Sequence, residues 1–324
     1  MSGGMMQING SNLRFSVLNS TLKENTASNG DGGCIFGRSD ITMDIQNTNI
    51  VSNQAGKNGG CMSFGDDTNI NISSCILDKN IANQSGGIMY MKTRSYMHLV
   101  RNTTITNNKA IYRDGGGFYN LAIYNIVSTT IHNNSARENG GFLYVDMMYE
   151  NKLRIIQSSF RNNIAKTKSG GVMIIHNVLP DGLFVDIEGT QYVQNQAGMS
   201  GGMMQINGSN LRFSVLNSTL KENTASNGDG GCIFGRSDIT MDIQNTNIVS
   251  NQAGKNGGCM SFGDDTNINI SSCILDKNIA NQSGGALRVE NNMVLGISNL
   301  IVKHNIAREG YGGVFSSGNR FKLY

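Results

Sequence analysis

One short pattern recurs along the whole chain and constrains its fold more than any other feature. An apolar residue is followed three positions later by Asn, then by Ala two positions after that Asn, a short polar run and a Gly-Gly pair. The recurring Asn residues are Asn25, Asn53, Asn80, Asn108, Asn134, Asn163, Asn195, Asn223, Asn251, Asn278 and Asn305. Because the copies lie about 28 residues apart, the pattern predicts a repeat architecture in which each unit packs on its neighbours.

The apolar residues within one repeat alternate as short strands require. Residues 13–17 and 183–187 place apolar side chains at every second position, which is typical of a strand with one buried face. A second apolar segment follows each Gly-Gly pair, and a third surrounds the apolar residue before each Asn. No segment has the spacing of an amphipathic helix. We therefore predict an all-β parallel β-helix, a solenoid of coils of about 28 residues, each with three short strands.

Stacking such coils places each residue about 4.8 Å above its equivalent in the next coil. The eleven Asn residues would then form an inward ladder of hydrogen bonds along one corner of the solenoid. A second polar column is expected to form another inward ladder. Its members are Asn19, Asn47, Ser74, Asn102, Ser128, Gln157 and Asn299.

The Gly-Gly pairs suit a tight turn that needs either a positive φ or close approach between coils. We place the second Gly of each pair at Gly4, Gly33, Gly60, Gly87, Gly117, Gly141, Gly171, Gly202, Gly231, Gly258, Gly285 and Gly313. Repeat length varies most around residues 90–99, 145–152 and 176–181, where we predict variable loops, with a turn at residues 180–182.

The outward positions carry no recurring reactive group. The third residue after the glycine pairs reads Gln7, Phe36, Ser63, Tyr90, Asn120, Tyr144, Ile174 and Arg288, in which no two acidic residues stack. Polysaccharide-cleaving enzymes need paired carboxylates, or acidic residues with a basic proton acceptor. We therefore predict no catalytic residue, no cofactor and no metal ligand. Acidic turns at residues 29–31 and 65–67 leave calcium binding as an alternative to a solvated turn.

A long internal duplication determines the domain organisation. Residues 1–87 are identical to residues 199–285, at an offset of 198 residues. We predict one β-solenoid over residues 1–324, with a first unit at 1–198 and a partial second unit at 199–324. The chain is expected to be a fragment of a longer tandem array.

Composition excludes some partners and leaves the state of the cysteines open. Charged residues make up 15% of the chain and the net charge is +3, so no basic surface predicts nucleic-acid binding. No apolar run is long enough to span a membrane. Cys34 and Cys61 each follow a Gly-Gly pair one repeat apart. They are either small buried thiols or a disulfide between stacked coils.

Several Asn-x-Ser/Thr sequons would carry glycans if the chain is secreted. Asn19 and Asn102 belong to the predicted inward column, where a glycan has no room. The better candidates lie in turns, at Asn9, Asn83, Asn207 and Asn281.

The repeat resembles that of the polymorphic outer-membrane protein family, first named for chlamydial surface proteins and similar to repeats in protist surface proteins. That family's short motifs are Phe-x-x-Asn and Gly-Gly-Ala-Ile. Phe160-Arg161-Asn162-Asn163 matches the first, and Gly284-Gly285-Ala286-Leu287 comes close to the second. The resemblance covers the whole chain and implies a right-handed parallel β-helix, exposure at the cell surface and a role in adhesion. It supplies no catalytic residues.

Together these features predict an extracellular structural or adhesive scaffold at the cell surface, as part of a long surface protein or filament. The expected partners are other copies of the chain, meeting end to end or laterally, and cell-surface glycans or proteins. The alternative is a carbohydrate-active enzyme or lectin with the same fold. An ice-binding threonine array is disfavoured, because Asn49 and Ile76 interrupt the column that contains Thr21 and Thr104.

Overall fold

The chain folds into a solenoid made only of strands. The computed structural model describes residues 2–10, 12–92, 94–120, 122–148, 152–178 and 181–324. These residues contain four parallel sheets and no helix, and the strands of each sheet belong to successive turns of the chain. There are about eleven turns, roughly 28 residues apart, so the predicted parallel β-helix is confirmed.

The first sheet follows the glycine pairs. Its strands are Met6–Ile8, Ile35–Gly37, Met62–Phe64, Met89–Met91, Phe118–Tyr119, Leu143–Met148, Met173–Val178, Met204–Ile206, Ile233–Gly235, Met260–Phe262, Leu287–Val289 and Phe315–Ser317.

The second sheet contains the longest alternating segments. Its strands are Leu13–Leu18, Ile41–Gln46, Asn69–Ser73, Tyr96–Met97, Val100–Arg101, Ala122–Ile123, Asn125–Val127, Lys152–Ile156, Leu183–Glu188, Leu211–Leu216, Ile239–Gln244, Thr266–Ser271, Met293–Ser298 and Phe321–Leu323.

The third sheet carries the apolar residue that precedes each recurring Asn. Its strands are Thr21–Lys23, Asn49–Val51, Ile76–Asp78, Thr104–Thr106, Thr130–His132, Ser159–Arg161, Gln191–Val193, Thr219–Lys221, Asn247–Val249, Ile274–Asp276 and Ile301–Lys303.

The fourth sheet is one more than the three strands per coil predicted from the sequence. Its strands are Thr26–Ala27, Gln54–Ala55, Ile81–Ala82, Lys109–Ala110, Ser135–Ala136, Ile164–Ala165, Gln196–Ala197, Thr224–Ala225, Gln252–Ala253, Ile279–Ala280 and Ile306–Ala307. Each has only two residues, so the segment has too few positions to show an alternating pattern.

The core is a set of apolar columns that run the length of the solenoid. Ile45, Ile72 and Val100 are paired in register on successive coils and are fully buried. Strand Ile41–Gln46 alternates buried and partly exposed side chains, as the period of two predicts. In one stretch aromatic rings fill the core, with Phe160 stacked on Tyr192 at a centroid distance of 4.7 Å.

The asparagine ladder is confirmed at all eleven positions. The side-chain Nδ2 of each Asn donates to the Oδ1 of the next, at 2.9–3.1 Å, from Asn25 to Asn305. In Asn163, Nδ2 also donates to the Ile131 carbonyl at 3.0 Å, and Oδ1 accepts both the main-chain and side-chain N–H of Asn134. The amide is fully buried. A buried amide with its donors and acceptors paired stabilises the stack and fixes its register.

The second predicted polar ladder is wrong by one residue. Its expected members, Asn19, Asn47, Ser74, Asn102, Ser128, Gln157 and Asn299, are exposed and have φ between 47° and 54°. The residue that follows each of them turns inward instead. Ser158 Oγ accepts the Thr129 main-chain N–H at 3.2 Å, and Thr190 Oγ1 accepts that of Ser158 at 3.3 Å. Asn19 and Asn102 were excluded as glycosylation sites because they were predicted to face inward, and since both are exposed that argument no longer applies.

The two roles considered for the glycine pairs are divided between their two members. The first Gly of each pair has φ between 62° and 72°, a region that favours glycine. The second lies against the next coil, and a Cβ on Gly171 would stand 2.0 Å from the Gly202 carbonyl oxygen. At the Gly-Gly-Gly sequence the pair is Gly115-Gly116, because Gly115 has the positive φ, and not the pair ending at Gly117.

All three of the predicted variable loops are partly strand. Leu143–Met148 and Met173–Val178 extend beyond the other strands of the first sheet and pair with each other through Met148 and Val178. In the third, Tyr96–Met97 pairs with Asn69–Ser73. Pro180 lies outside the described residues, and Asp181 is in a turn.

Tyr192 provides a test of the core. Its hydroxyl is fully buried and has no hydrogen-bond partner among the described residues. Since an unpaired buried hydroxyl costs about 1–3 kcal/mol, we expect Tyr192→Phe to raise the free energy of unfolding by about 1 kcal/mol. Urea denaturation followed by circular dichroism measures this. The control is Tyr119→Phe, whose ring is half-exposed, and an unchanged or lower stability of Tyr192→Phe would contradict the prediction.

Candidate functional site

The outer face of the first sheet carries aromatic side chains on successive coils. Tyr90, Tyr119 and Tyr144 occupy equivalent positions on three successive coils. Their rings are stacked, with centroids 4.9 and 4.7 Å apart and interplanar angles of 6° and 3°. The ring of His176, on the next coil, lies 5.1 Å from that of Tyr144 and is tilted against it by 44°. We call these four residues the tyrosine stack.

The tyrosine stack was missed in the sequence because of the triple glycine. Alignment on Gly117 puts Asn120 in this outward column, whereas the structure pairs Tyr119 with both Tyr90 and Tyr144. A slip of one residue exchanges the two faces of a strand. Recognition that Tyr119 continues the run of tyrosines would have given the correct register.

The tyrosine hydroxyls stay protonated over the physiological pH range. Partial burial, with a smaller contribution from Tyr90, raises the pKa of Tyr119 to about 12. Burial also raises the pKa of Tyr90 and of Tyr144. Each hydroxyl therefore remains able to donate a hydrogen bond.

A cleft opens at the end of the tyrosine stack. In the outward column the buried Ser63 lies between Phe36 and Tyr90, and all three residues are among those that line the cleft. The resulting cleft has a volume of about 520 Å³. Asp31, Arg38 and Lys92 are among the residues that line it. We call it the first cleft.

An equivalent cleft lies 198 residues further along the chain. It has a volume of about 350 Å³ and is formed around Ser261, with Asp229, Phe234 and Arg236 at the positions of Asp31, Phe36 and Arg38. One wall differs, since Arg288 and Glu290 replace Tyr90 and Lys92. We call it the second cleft. Its recurrence follows from the duplication, but its altered wall does not.

Asp31 in the first cleft and Asp229 in the second are each held by the neighbouring coil. Asp31 Oδ1 accepts the main-chain and side-chain N–H groups of Asn58, both at 3.0 Å. Asp229 accepts the same two bonds from Asn256, at 3.0 and 2.9 Å. Asn58 in turn accepts the Ser85 main-chain N–H. The acidic turn at residues 29–31 thus has a structural role that the sequence did not reveal, while one oxygen of Asp31 is left available at the cleft.

The described residues contain no group of three His, Cys, Asp or Glu side chains arranged to hold a metal ion. The calcium alternative at residues 29–31 and 65–67 therefore gains no support. The four histidines lie in separate surroundings: His304 hydrogen-bonds Asp276 at 3.0 Å and His132 hydrogen-bonds Thr106 at 3.1 Å. The described residues also contain no helix that is long and apolar enough to cross a membrane.

The cysteines lie in the core and away from the clefts. Cys34 and Cys61 stack on adjacent coils with their Sγ atoms 2.7 Å apart, and Cys232 and Cys259 repeat the contact at 2.8 Å. All four are buried free thiols. Burial, followed by the neighbouring thiol, raises the pKa of Cys61 well above its ordinary value. A protonated thiol in an apolar core is chemically inert.

The predicted glycosylation residues differ in exposure. Asn9 is exposed, while Asn83, Asn207 and Asn281 are half-buried. Asn207 accepts a hydrogen bond from Gln205 at 2.7 Å. Glycosylation at these four positions stays a prediction.

Comparison of this chain with protein-family models, with curated proteins and with solved structures gave no match.

Proposed function

We propose that this chain is a structural and adhesive β-solenoid displayed outside the cell. The observation that carries the proposal is the uninterrupted stack of about eleven turns with a complete asparagine ladder. A ladder of this kind gives a stiff, elongated body of about 50–55 Å at 4.8 Å per turn. Such a body suits the presentation of surface groups at fixed intervals.

The resemblance to the polymorphic outer-membrane protein repeat supports a place at the cell surface. The duplication supports multivalent contact, since one unit of seven turns repeats its surface about every 34 Å along the axis. A repeated surface raises avidity without any new contact. Self-association, end to end or laterally, would lengthen the array in the same way.

The residues of the two clefts favour a non-enzymatic role over that of a carbohydrate-active enzyme. Asp31 and Asp229 occupy equivalent positions in the duplicated clefts, and each accepts hydrogen bonds from an Asn of the next coil. The first cleft is lined by one carboxylate and two cationic side chains. The second is lined by two carboxylates and two arginines, and Asp229 of that pair accepts two hydrogen bonds from Asn256. General acid and base catalysis of glycoside hydrolysis needs two carboxylates facing the bond.

The proposal is tested by antibodies raised against the purified chain. We expect them to label intact cells of the source organism, and brief protease treatment of those cells to remove the signal. An antibody against a cytoplasmic enzyme serves as the control and must label only permeabilised cells. Labelling only after permeabilisation would contradict an extracellular place, and release of reducing ends from polysaccharides by the purified chain would contradict the non-enzymatic role.

A further inference from the structure

We propose that the two clefts are saccharide-binding sites, and that the first prefers a sugar that carries a carboxylate. This inference rests on the adhesive part of the proposed function. It assigns that adhesion to Phe36, Ser63 and Tyr90 in the first unit and to Phe234, Ser261 and Arg288 in the second.

The spacing of the first cleft favours a saturated ring. Phe36 and Tyr90 are two coils apart, which separates their positions by about 9.6 Å. Contact with carbon atoms takes about 3.5–4.0 Å on each side. About 2 Å remains between the atoms of a bound ring that touch the two walls, which a flat aromatic ring leaves empty and a pyranose chair with its axial substituents can occupy.

The two aromatic walls supply the apolar contact that such a ring requires. One face of Tyr90 is covered by Tyr119, and Tyr90 also lines the first cleft. The stack therefore holds the Tyr90 ring upright. The C–H groups of a sugar ring form an apolar face that packs on an aromatic side chain, and a rigid ring gives this contact at low entropic cost.

The rim supplies polar groups for sugar hydroxyls. Asp31 is an acceptor and Arg38 is a donor. Neither side chain forms an ion pair among the described residues. Of the two Asp31 carboxylate oxygens, only Oδ1 accepts hydrogen bonds from Asn58. A few oriented polar groups around an apolar floor are typical of small-molecule sites.

Charge distinguishes the two clefts. The first is lined by Asp31, Arg38 and Lys92, which leaves one positive charge in excess. In the second, Asp229 and Glu290 balance the two cationic side chains, so there is no excess. The first cleft should therefore favour an acidic sugar, and the second should bind acidic and neutral sugars equally well.

The test uses two linear hexasaccharides, one of galacturonic acid and one of galactose, titrated into the full chain by calorimetry. These probes differ only in having a carboxylate or a hydroxymethyl group on each ring. We expect both to bind, with the acidic one at least tenfold tighter at one site. The double variant Phe36→Ala with Phe234→Ala should lose both kinds of binding.

A matched control removes an aromatic ring elsewhere. Phe184→Ala deletes a half-exposed ring on the second sheet and should leave both affinities within twofold. Lys92→Glu alters only an exposed side chain and should abolish the preference for the acidic hexasaccharide. This variant keeps the test valid if the aromatic deletions disturb folding.

Two results would overturn the inference: no binding of either hexasaccharide to the native chain at millimolar concentration, or unchanged binding by a folded double variant. Failure of the proposed function is seen separately in the labelling of intact cells. A chain that binds saccharide but lies inside the cell would refute the extracellular role alone.

Discussion

Replacing Gly171 by Ala is expected to destabilise the solenoid by about 4 kcal/mol, the upper range for a single substitution. The added Cβ would lie 2.0 Å from the Gly202 carbonyl oxygen and 2.7 Å from the main-chain carbon of Gln196. Both atoms belong to the next coil's main chain, which has no rotamer to change. The two coils must separate, which weakens the hydrogen bond from the Gly171 N–H to the Gly201 carbonyl.

Gly189 is the matched control for this substitution. It has φ of 57°, and the nearest atom to an added Cβ is Gln157 Cγ at 3.6 Å. Gly189→Ala therefore adds backbone strain without a clash, at a cost of about 1 kcal/mol. Urea denaturation gives both values, and hydrogen exchange should show the largest loss of protection near residue 171. Equal effects of the two substitutions would contradict a steric origin.

Replacing Asn163 by Leu is expected to lower the free energy of unfolding by about 3–5 kcal/mol. The side chain keeps a similar volume, but the main-chain N–H of Asn134 loses its acceptor and the Asn195 Oδ1 loses a donor. Each buried polar group left unpaired costs about 1–3 kcal/mol. Since neighbouring coils share these bonds, the loss spreads to both sides of the coil.

The neighbouring residue separates the ladder from general effects of substitution. Asn162 is exposed and has φ of 52°, which glycine adopts without strain. Asn162→Gly should change stability by no more than about 0.5 kcal/mol. Denaturation of the three proteins under identical conditions gives the comparison. A folded Asn163→Leu variant as stable as the native chain would mean that the ladder contributes shape and not hydrogen bonding.

Errors in the sequence interpretation arose at corners, where the alternation of strand residues stops. The second inward ladder was assigned to Asn19 and Asn47, but these two residues have the positive φ of the turn. The hydroxyl of Thr48, the next residue, turns inward instead. Both Asn and Thr suit a turn, so residue type alone does not say which one faces the core. The triple glycine ending at Gly117 presented the same ambiguity of one residue.

The candidate site was less accessible from the sequence than the fold. Phe36, Ser63 and Tyr90 were each placed in the outward column, yet a small residue between two aromatic ones looks like ordinary surface variation in a sequence. Asp31 was interpreted as a solvated turn, and its bonds to Asn58 appear only when coil lies on coil. Tyr119 was lost to the adjacent register.

The repeating pattern was sufficient to predict the parallel β-helix, the asparagine ladder and the columns of its core, because coils that share a pattern stack like residues on like. Three features are seen only in the folded chain: the fourth sheet, the orientation of each corner residue and the two clefts. Those depend on which of two adjacent residues turns inward and on the space left between side chains two coils apart. Neither is recorded in the period of the repeat, since both arise from contacts between separate turns of the chain.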